Sequence, residues 1–390
     1  MASQSGLGDR PTTFVICVSL CLWARVGSIS EWGIDPRVRG ASTPHRMRRG
    51  LQRSYDVDDL SKTHRLLIDR ATSCFLSRTC AMPELPPARE NQQFCTISAL
   101  EGGSLTAPES FFIAESDVPG NSLALPVLCF LLQHSKADPT PKRLVFDLGI
   151  NPNLSAYPPK VREMIDGPNA LSRLDPSAPH CLGSLTHGDA TPDDIDFVIL
   201  SHCHCDHTGD THSFTKSTFV VGHDTKTLFE SGGYPTDPNS SYRADLLPTE
   251  RTWYLPPTSS DKDWMPIGPF PHALDFFGDG SLYIIDSSGH LAGHINLLIR
   301  TSADGGWIYL GGDSVHDRRI LSGEAHIRIG LPDQPEFCAH VNRTEAEAHI
   351  ARIRELEKAE RVRVIFAHDI EWYEENRGGA AFWPGKIESV

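Results

Sequence analysis

The sequence has no long apolar run, no paired-cysteine framework and no surplus of basic charge, and each absence removes a class of protein. Its most apolar stretch, Phe14 to Ala24, falls well short of the roughly 20 residues that a membrane-spanning helix needs. It is also poorly framed as the core of a secretory leader. Asp9 and Arg10 stand where a basic lead-in belongs, and no small-residue cleavage pattern follows. The ten cysteines are scattered and none forms a C-x-x-C pair, so reduced thiols in a cytoplasmic protein are expected rather than a disulfide scaffold. With 36 Lys and Arg against 50 Asp and Glu, the formal charge is -14. A phosphate backbone needs a basic field, so nucleic acid is not the expected partner. An anionic small molecule stays open, because a bound cation inverts the local sign of charge. No internal repeat is visible.

What is present is a chain of 390 residues, 39% of them hydrophobic, enough to bury one large core or two small ones. The first ninety residues read differently from the rest. Pro36, Arg37, Arg39, Arg46, Arg48, Arg49 and Arg53 mark a basic, breaker-rich stretch without periodicity. A non-catalytic, disordered segment is expected over 1–92 and a globular domain over 93–390. In that domain, strands are expected at 94–100, 124–133, 142–148, 196–200, 218–221, 281–286, 294–300, 307–310 and 362–366. A short helix is expected near Val161 to Ile165, and an amphipathic one over Thr344 to Glu360, with Thr344 as N-cap and Glu347 closing a capping box. Residues 223–280 are rich in Pro, Gly and Ser and read as long loops with short helices. Their aromatics, Tyr234, Tyr242, Trp253, Trp264, Phe270 and Phe276, are the expected walls of a small-molecule pocket.

The densest chemical signal is Ser201-His202-Cys203-His204-Cys205-Asp206-His207-Thr208-Gly209, directly after the apolar run Asp196 to Leu200. In extended chain, residues i and i+2 face the same way, so His202 and His204 can chelate one metal together. Once the strand ends, the chain can turn and aim Asp206 and His207 at a second metal. Imidazole and carboxylate are ligands that zinc accepts. Four of them within six residues, behind a buried strand, are hard to reach by chance. The same alternation points Cys203 and Cys205 away from the metals, as small buried side chains.

The H-x-H-x-D-H spacing resembles the signature of the metallo-β-lactamase superfamily. The resemblance covers roughly residues 93–390 and implies an α/β fold, the four-layer αβ/βα sandwich. It also implies two zinc ions per chain and three further ligands at strand ends. Ser288-Gly289-His290-Leu291-Ala292-Gly293-His294 looks like the family's third motif, making His290 a ligand of the first metal beside His202 and His204. Tyr309-Leu310-Gly311-Gly312-Asp313 looks like the fourth, with Asp313 bridging both metals. Ala367-His368-Asp369 looks like the fifth, with His368 joining Asp206 and His207 on the second metal. The turn Phe146-Asp147-Leu148-Gly149 matches an early family motif, and His294 is expected to pack and hydrogen-bond near the site.

The superfamily runs several reactions on this site, so the fold alone does not choose among them. An aspartate rather than a cysteine at the bridging position counts against an antibiotic lactamase, and the low pI counts against the nuclease branch. The ligand set and the long segment between His207 and His290 look like the N-acyl homoserine lactonase-like branch. Glu371-Trp372-Tyr373 and Phe382-Trp383-Pro384-Gly385 look like its fungal members, some of which open cyclic amides or lactones in detoxification while others belong to secondary-metabolite pathways. The expected activity is opening of a lactone or cyclic amide, with Asp206 as the proton shuttle to the leaving group. Bacterial lactonases of this type carry a carbonyl-binding tyrosine three residues after the bridging aspartate. Here His316 stands in that place, either as the equivalent hydrogen-bond donor or as the mark of a different substrate. One alternative is a thioesterase, glyoxalase II-like or acting on acyl carriers, which would want a basic patch; only Lys226, Arg243 and Arg251 are scattered candidates. The other is a non-catalytic metal- or ligand-binding protein, which would have no need to keep Asp206.

Overall fold

The computed structural model describes residues 84–390, apart from 117–119, 138–139, 168–169, 171, 261 and 333. The apolar run at Phe14 to Ala24 and the Arg-rich stretch lie outside the described residues. Packed chain begins shortly before residue 93: Leu85 sits against the core, and the Arg300 guanidinium donates to the Pro86 carbonyl at 2.6 Å.

Strands β1 (Cys95–Pro108), β2 (Ser122–Ala137), β3 (Pro141–Phe146), β4 (Arg173–Leu174), β5 (Phe197–Ile199), β6 (Thr218–Val221) and β7 (Thr252–Tyr254) form one sheet. Their order is β4-β1-β2-β3-β5-β6-β7. β1, β2 and β3 run antiparallel as hairpin neighbours, whereas β3, β5, β6 and β7 run parallel. Strands β8 (Met265–Ile267), β9 (Phe270–Asp275), β10 (Leu282–Asp286), β11 (Ile295–Arg300), β12 (Trp307–Leu310) and β13 (Val362–Ile365) form the second, in the order β13-β12-β11-β10-β9-β8. The helices are α1 (Pro159–Asp166), α2 (Cys181–His187), α3 (Cys205–Thr208), α4 (Arg318–Ser322), α5 (Arg343–Leu356) and α6 (Ile370–Asn376).

Both sheets are apolar on both faces, which demands four layers. Ile97, Leu128, Phe130, Leu144 and Ile199 of the first sheet meet Leu282, Ile284, Leu297, Ile308 and Ile365 of the second. The outer face of the first sheet, through Leu131, Val145, Val198 and Phe219, packs on Cys181 and Leu185 of α2. The outer face of the second, through Tyr283, Leu298, Tyr309 and Val364, packs on Ile350, Ile353 and Leu356 of α5. The expected αβ/βα sandwich is thus the observed fold. No helix among the described residues is long and apolar enough to cross a membrane.

Three sequence expectations need correction. β1 runs on to Pro108, because Gly102-Gly103 makes a bulge rather than a turn. Gly103 takes φ +116, and a Cβ on Gly102 would fall 2.7 Å from the Val127 carbonyl oxygen. The stretch 223–280 contains β7, β8 and β9; Pro266, Pro269 and Pro271 hide the strand pattern of β8 and β9. Pro266 is tolerated because β8 is an edge strand, and Pro271 because β9 pairs with β10 only from Ala273 to Asp275. Helix α5 starts earlier than expected, with Asn342 as N-cap accepting from the Glu345 N–H at 3.3 Å. Thr344 is not the cap, and Glu347 pairs with Arg343 at 2.7 Å instead. The reason is tertiary: the Val341 and Asn342 N–H groups donate to the His290 and Gly289 carbonyls, which fixes the chain just before the helix.

Candidate metal centre

The seven side chains singled out in the sequence converge beyond the C-terminal ends of β5, β10, β12 and β13. The segment after β5 is held on both sides: Leu200 N–H donates to Val220 O, and Ile295 N–H donates to Ser201 O. His202 to His204 stays extended, then α3 begins at Cys205. That switch from extended to helical backbone sends His202 and His204 to one side and Asp206 and His207 to the other.

Two sets of candidate ligands result, and Asp313 lies between them. In the first, His204 Nδ1 lies 2.8 Å from His202 Nε2 and 3.0 Å from His290 Nε2. Asp313 Oδ2 lies 3.7 Å from His202 Nε2 and 3.4 Å from His290 Nε2. In the second, Asp313 Oδ1 lies 3.2 Å from His207 Nε2 and 3.4 Å from His368 Nε2. Asp206 Oδ2 completes that set, 3.5 Å from His368 Nε2 and 3.9 Å from His207 Nε2.

Buried neighbours fix which nitrogen of each ring faces inward. His207 Nδ1 sits 2.9 Å from Asp147 Oδ2, and His368 Nδ1 sits 2.8 Å from the Pro126 carbonyl, so Nε2 of each ring points into the site. Asp147, held at φ +60, also accepts from the Ser201 N–H at 2.6 Å and the Ser201 hydroxyl at 2.7 Å. His294 supports the bridge: its Nε2 accepts from the Asp313 N–H at 3.2 Å, while Nδ1 faces the Ser287 hydroxyl at 2.7 Å.

The electrostatics differ between the two sets. Burial, reinforced by neighbouring imidazoles, holds His202 well below the ordinary histidine range, and burial lowers His290 likewise and His204 to about 4. Three neutral rings with lone pairs converge there. In the second set burial opposes charge, yet Asp313 and Asp206 overcome it and raise His368 to about 10. Burial likewise opposes ionisation of Asp206, but His207 and His368 bring it down to about 2. Asp313 is held well below the carboxylate range in the same way, against burial, by His207 and His368. These carboxylates are built to face positive charge.

The residues fit a pair of metal ions. Buried polar atoms are almost always hydrogen-bonded, yet His207 Nε2 and Asp313 Oδ1 are buried without a hydrogen-bond partner. Zinc with bonds of about 2.0–2.1 Å requires tetrahedral ligand atoms about 3.3 Å apart, close to the spacings in both sets.

A narrow cavity of about 20 Å³ opens over the two sets, lined by Leu105, Phe112, Leu125, Ile165 and Leu174 with His204, Asp206, Asp313, His316 and His368. His316 stacks on Phe112 at 4.8 Å between ring centroids, and its Nε2 lies 3.3 Å from Asp313 Oδ2. Cys205 lines this cavity too. The expectation for Cys205 is corrected because helix α3, not strand alternation, sets its direction, whereas Cys203 is buried in the core as expected. The six aromatics of 223–280 do not line it. Phe270 stacks on Tyr309 in the core, Trp264 donates to Pro256 O, Trp253 stacks on Phe276, and Tyr242 lines a separate cavity of about 520 Å³. Leu105, Phe112, Leu125, Ile165 and Leu174 are apolar in the sequence, with nothing there to mark them as walls.

A model of the metallo-beta-lactamase superfamily matches residues 184–368. The gamma-lactamase MBL2 of Gibberella moniliformis is 33% identical over 175 residues, covering 44% of this chain and 70% of that one. The chain therefore belongs to the metallo-β-lactamase superfamily. The cytochrome P450 monooxygenase mpaDE of Penicillium roqueforti is 27% identical over 311 residues, 74% of this chain. The chain spans only 35% of that relative's length. Among solved structures, an N-acyl homoserine lactone hydrolase with N-hexanoyl-L-homoserine at its catalytic metal centre superposes with a TM-score of 0.52 at 19% identity, covering 75% of this chain and 98% of that one. This last likeness is one of fold.

Proposed function

We propose that the chain opens a lactone or cyclic amide with two zinc ions, one held by His202, His204, His290 and Asp313, the other by Asp206, His207, His368 and Asp313. The observation that carries this reading is the division of Asp313, whose Oδ2 faces His202 and His290 while Oδ1 faces His207 and His368. Held by these residues, paired zinc would supply a hydroxide nucleophile at neutral pH and polarise a carbonyl.

The chain's own residues do the rest. Leu105, Phe112, Leu125, Ile165 and Leu174 give the opening over the pair an apolar lining, suited to a compact, apolar substrate. Asp206, at the edge of the second set, keeps a carboxylate that can carry a proton to the departing oxygen or nitrogen. His316, facing Asp313 Oδ2 from the cavity, offers a hydrogen bond to the substrate on the side of the first set. No Lys or Arg stands in the cavity lining. That favours a neutral ring over a glutathione or carrier-bound thioester, whose anionic groups need cationic partners. The gamma-lactamase relative supports the same class of substrate.

The test is metal content together with turnover of a γ-lactone, a benzoxazolinone and a thioester measured in parallel. About two zinc per chain, loss of turnover on chelation and a preference for the ring substrates are expected. Full activity in metal-free protein overturns the metal assignment, and a thioester preference overturns the substrate class.

A further inference from the structure

His340 has no place in the sequence argument, yet it is buried at 2% exposure beside the first ligand set. Its ring centroid lies 5.3 Å from that of His290 and 5.2 Å from that of His316, and His290 and His316 are 5.1 Å apart. The three rings form a nearly equilateral triangle. One nitrogen of each lies within 4.8 Å of the other two. His290 Nδ1, His316 Nε2 and His340 Nδ1 are all buried without a hydrogen-bond partner. The placement is not accidental: the N–H groups of Val341 and Asn342 donate to the carbonyls of His290 and Gly289, locking the His340 segment to the His290 loop.

We propose that His340 acts with His316 as a substrate-binding residue, the two imidazoles holding one oxygen atom of the substrate, its carbonyl oxygen, on the His290 side of the centre. The geometry sets the size of what fits. Three atoms no more than 4.8 Å apart share a central point within about 2.8 Å of each, the length of a hydrogen bond from nitrogen to oxygen. The position follows from Asp313. Its Oδ2 faces His202, His290 and His316, whereas Asp206 stands with His207 and His368 on the Oδ1 side. If Asp206 serves the leaving group, the opposite side receives the carbonyl oxygen. The assignment rests on the hydrolase reading above for the identity of that oxygen, but the triangle of rings does not depend on it.

The experiment compares zinc-loaded wild type with His340→Phe and His340→Gln, by metal analysis, by calorimetric binding of butanoate and of butanethiol, and by turnover of a γ-lactone. Butanoate brings an oxygen to the triangle, whereas the thiol binds metal without one. With two metals retained, His340→Phe is expected to weaken butanoate about 10-fold, the scale of one buried hydrogen bond, and to leave butanethiol unchanged. His340→Gln should recover part of the loss and guards against a Phe variant that fails to fold. On the lactone, kcat/KM should fall by a similar factor, and adding His316→Phe should cost less than the product of the two single losses. Unchanged butanoate binding overturns the proposal. So does equal weakening of both probes, or loss of metal from both variants, which makes His340 a mere support for His290. A third equivalent of zinc that vanishes in His340→Phe overturns it in favour of a metal site. If wild type turns over no lactone while butanoate still discriminates the variants, the hydrolase reading fails and the oxygen site stands.

Discussion

At the scale of single residues, the two acidic ligands are set up to fail differently. Asp313 faces four ligand histidines through its two oxygens, so Asp313→Ala should deplete both sites, seen as a fall in bound zinc well below two per chain. Asp206 belongs to one set only. Asp206→Asn keeps the shape and one ligand oxygen, so some metal should remain while kcat on a lactone falls about 100-fold or more, the scale of a lost general acid or base. An activated aryl ester, which needs less protonation on departure, should lose less. Equal slowing of both substrates with metal fully retained would rule out the proton role. Asp147 acts through His207 Nδ1 at 2.9 Å. Asp147→Ala should therefore weaken the second zinc about 10- to 100-fold, the usual cost of losing such a partner, as read by competition with a chelator. Four of the candidate ligands were legible in the sequence, since H-x-H-x-D-H is a local pattern, whereas His290, Asp313 and His368 were implied by the family resemblance. Asp147 was legible only as part of a motif, because its partner lies 60 positions away.

At the scale of elements, helix α5 ties the outer layer to the sheet that carries Asp313. His349 is buried there, and its Nε2 donates at 3.2 Å to the Asn296 amide oxygen, which also accepts from Tyr309 and Ser314. Burial lowers the His349 pKa to about 3. The folded chain thus keeps the ring neutral, while the unfolded chain protonates it near pH 6.5. Stability from this group is fully present above pH 6.5 and is lost as pH falls from there toward 3. In His349→Gln the drop in melting temperature between pH 7 and pH 5 should be shallower than in wild type. Parallel curves would show that other buried histidines carry the acid sensitivity. The helix was legible from its apolar spacing, but its cap was not. Asn342 outcompetes Thr344 because the chain before it is hydrogen-bonded to the His290 loop, a contact between residues about fifty apart.

At the scale of the whole molecule, the described contacts begin near Leu85 and every proposed ligand lies beyond residue 200. We propose that residues 1–83 are dispensable to the catalytic domain. A chain lacking them should fold, take up the same metal as the full chain and keep its kcat within about 2-fold, since truncation tolerance follows burial and hydrogen bonding rather than position. An insoluble or metal-free product would place part of the domain in that segment.

The sequence by itself carried the H-x-H-x-D-H candidates and most of the strands, because these are written in short periods: alternate residues in a strand, three to four in a helix. The other three candidate ligands and the four-layer fold were implied by the family resemblance. Only the tertiary structure decided what surrounds the ligands. Leu105, Phe112, Leu125, Ile165 and Leu174 wall the cavity from well-separated positions in the chain, and in a sequence they are indistinguishable from core residues. The aromatics of 223–280 looked like a pocket but pack in the core, stack on one another or line a different cavity. Cys205 turned toward the cavity and His340 came to rest beside His316 for the same reason. Side-chain direction there depends on where a helix starts and on which distant loop the backbone is bonded to, and neither is encoded in local spacing.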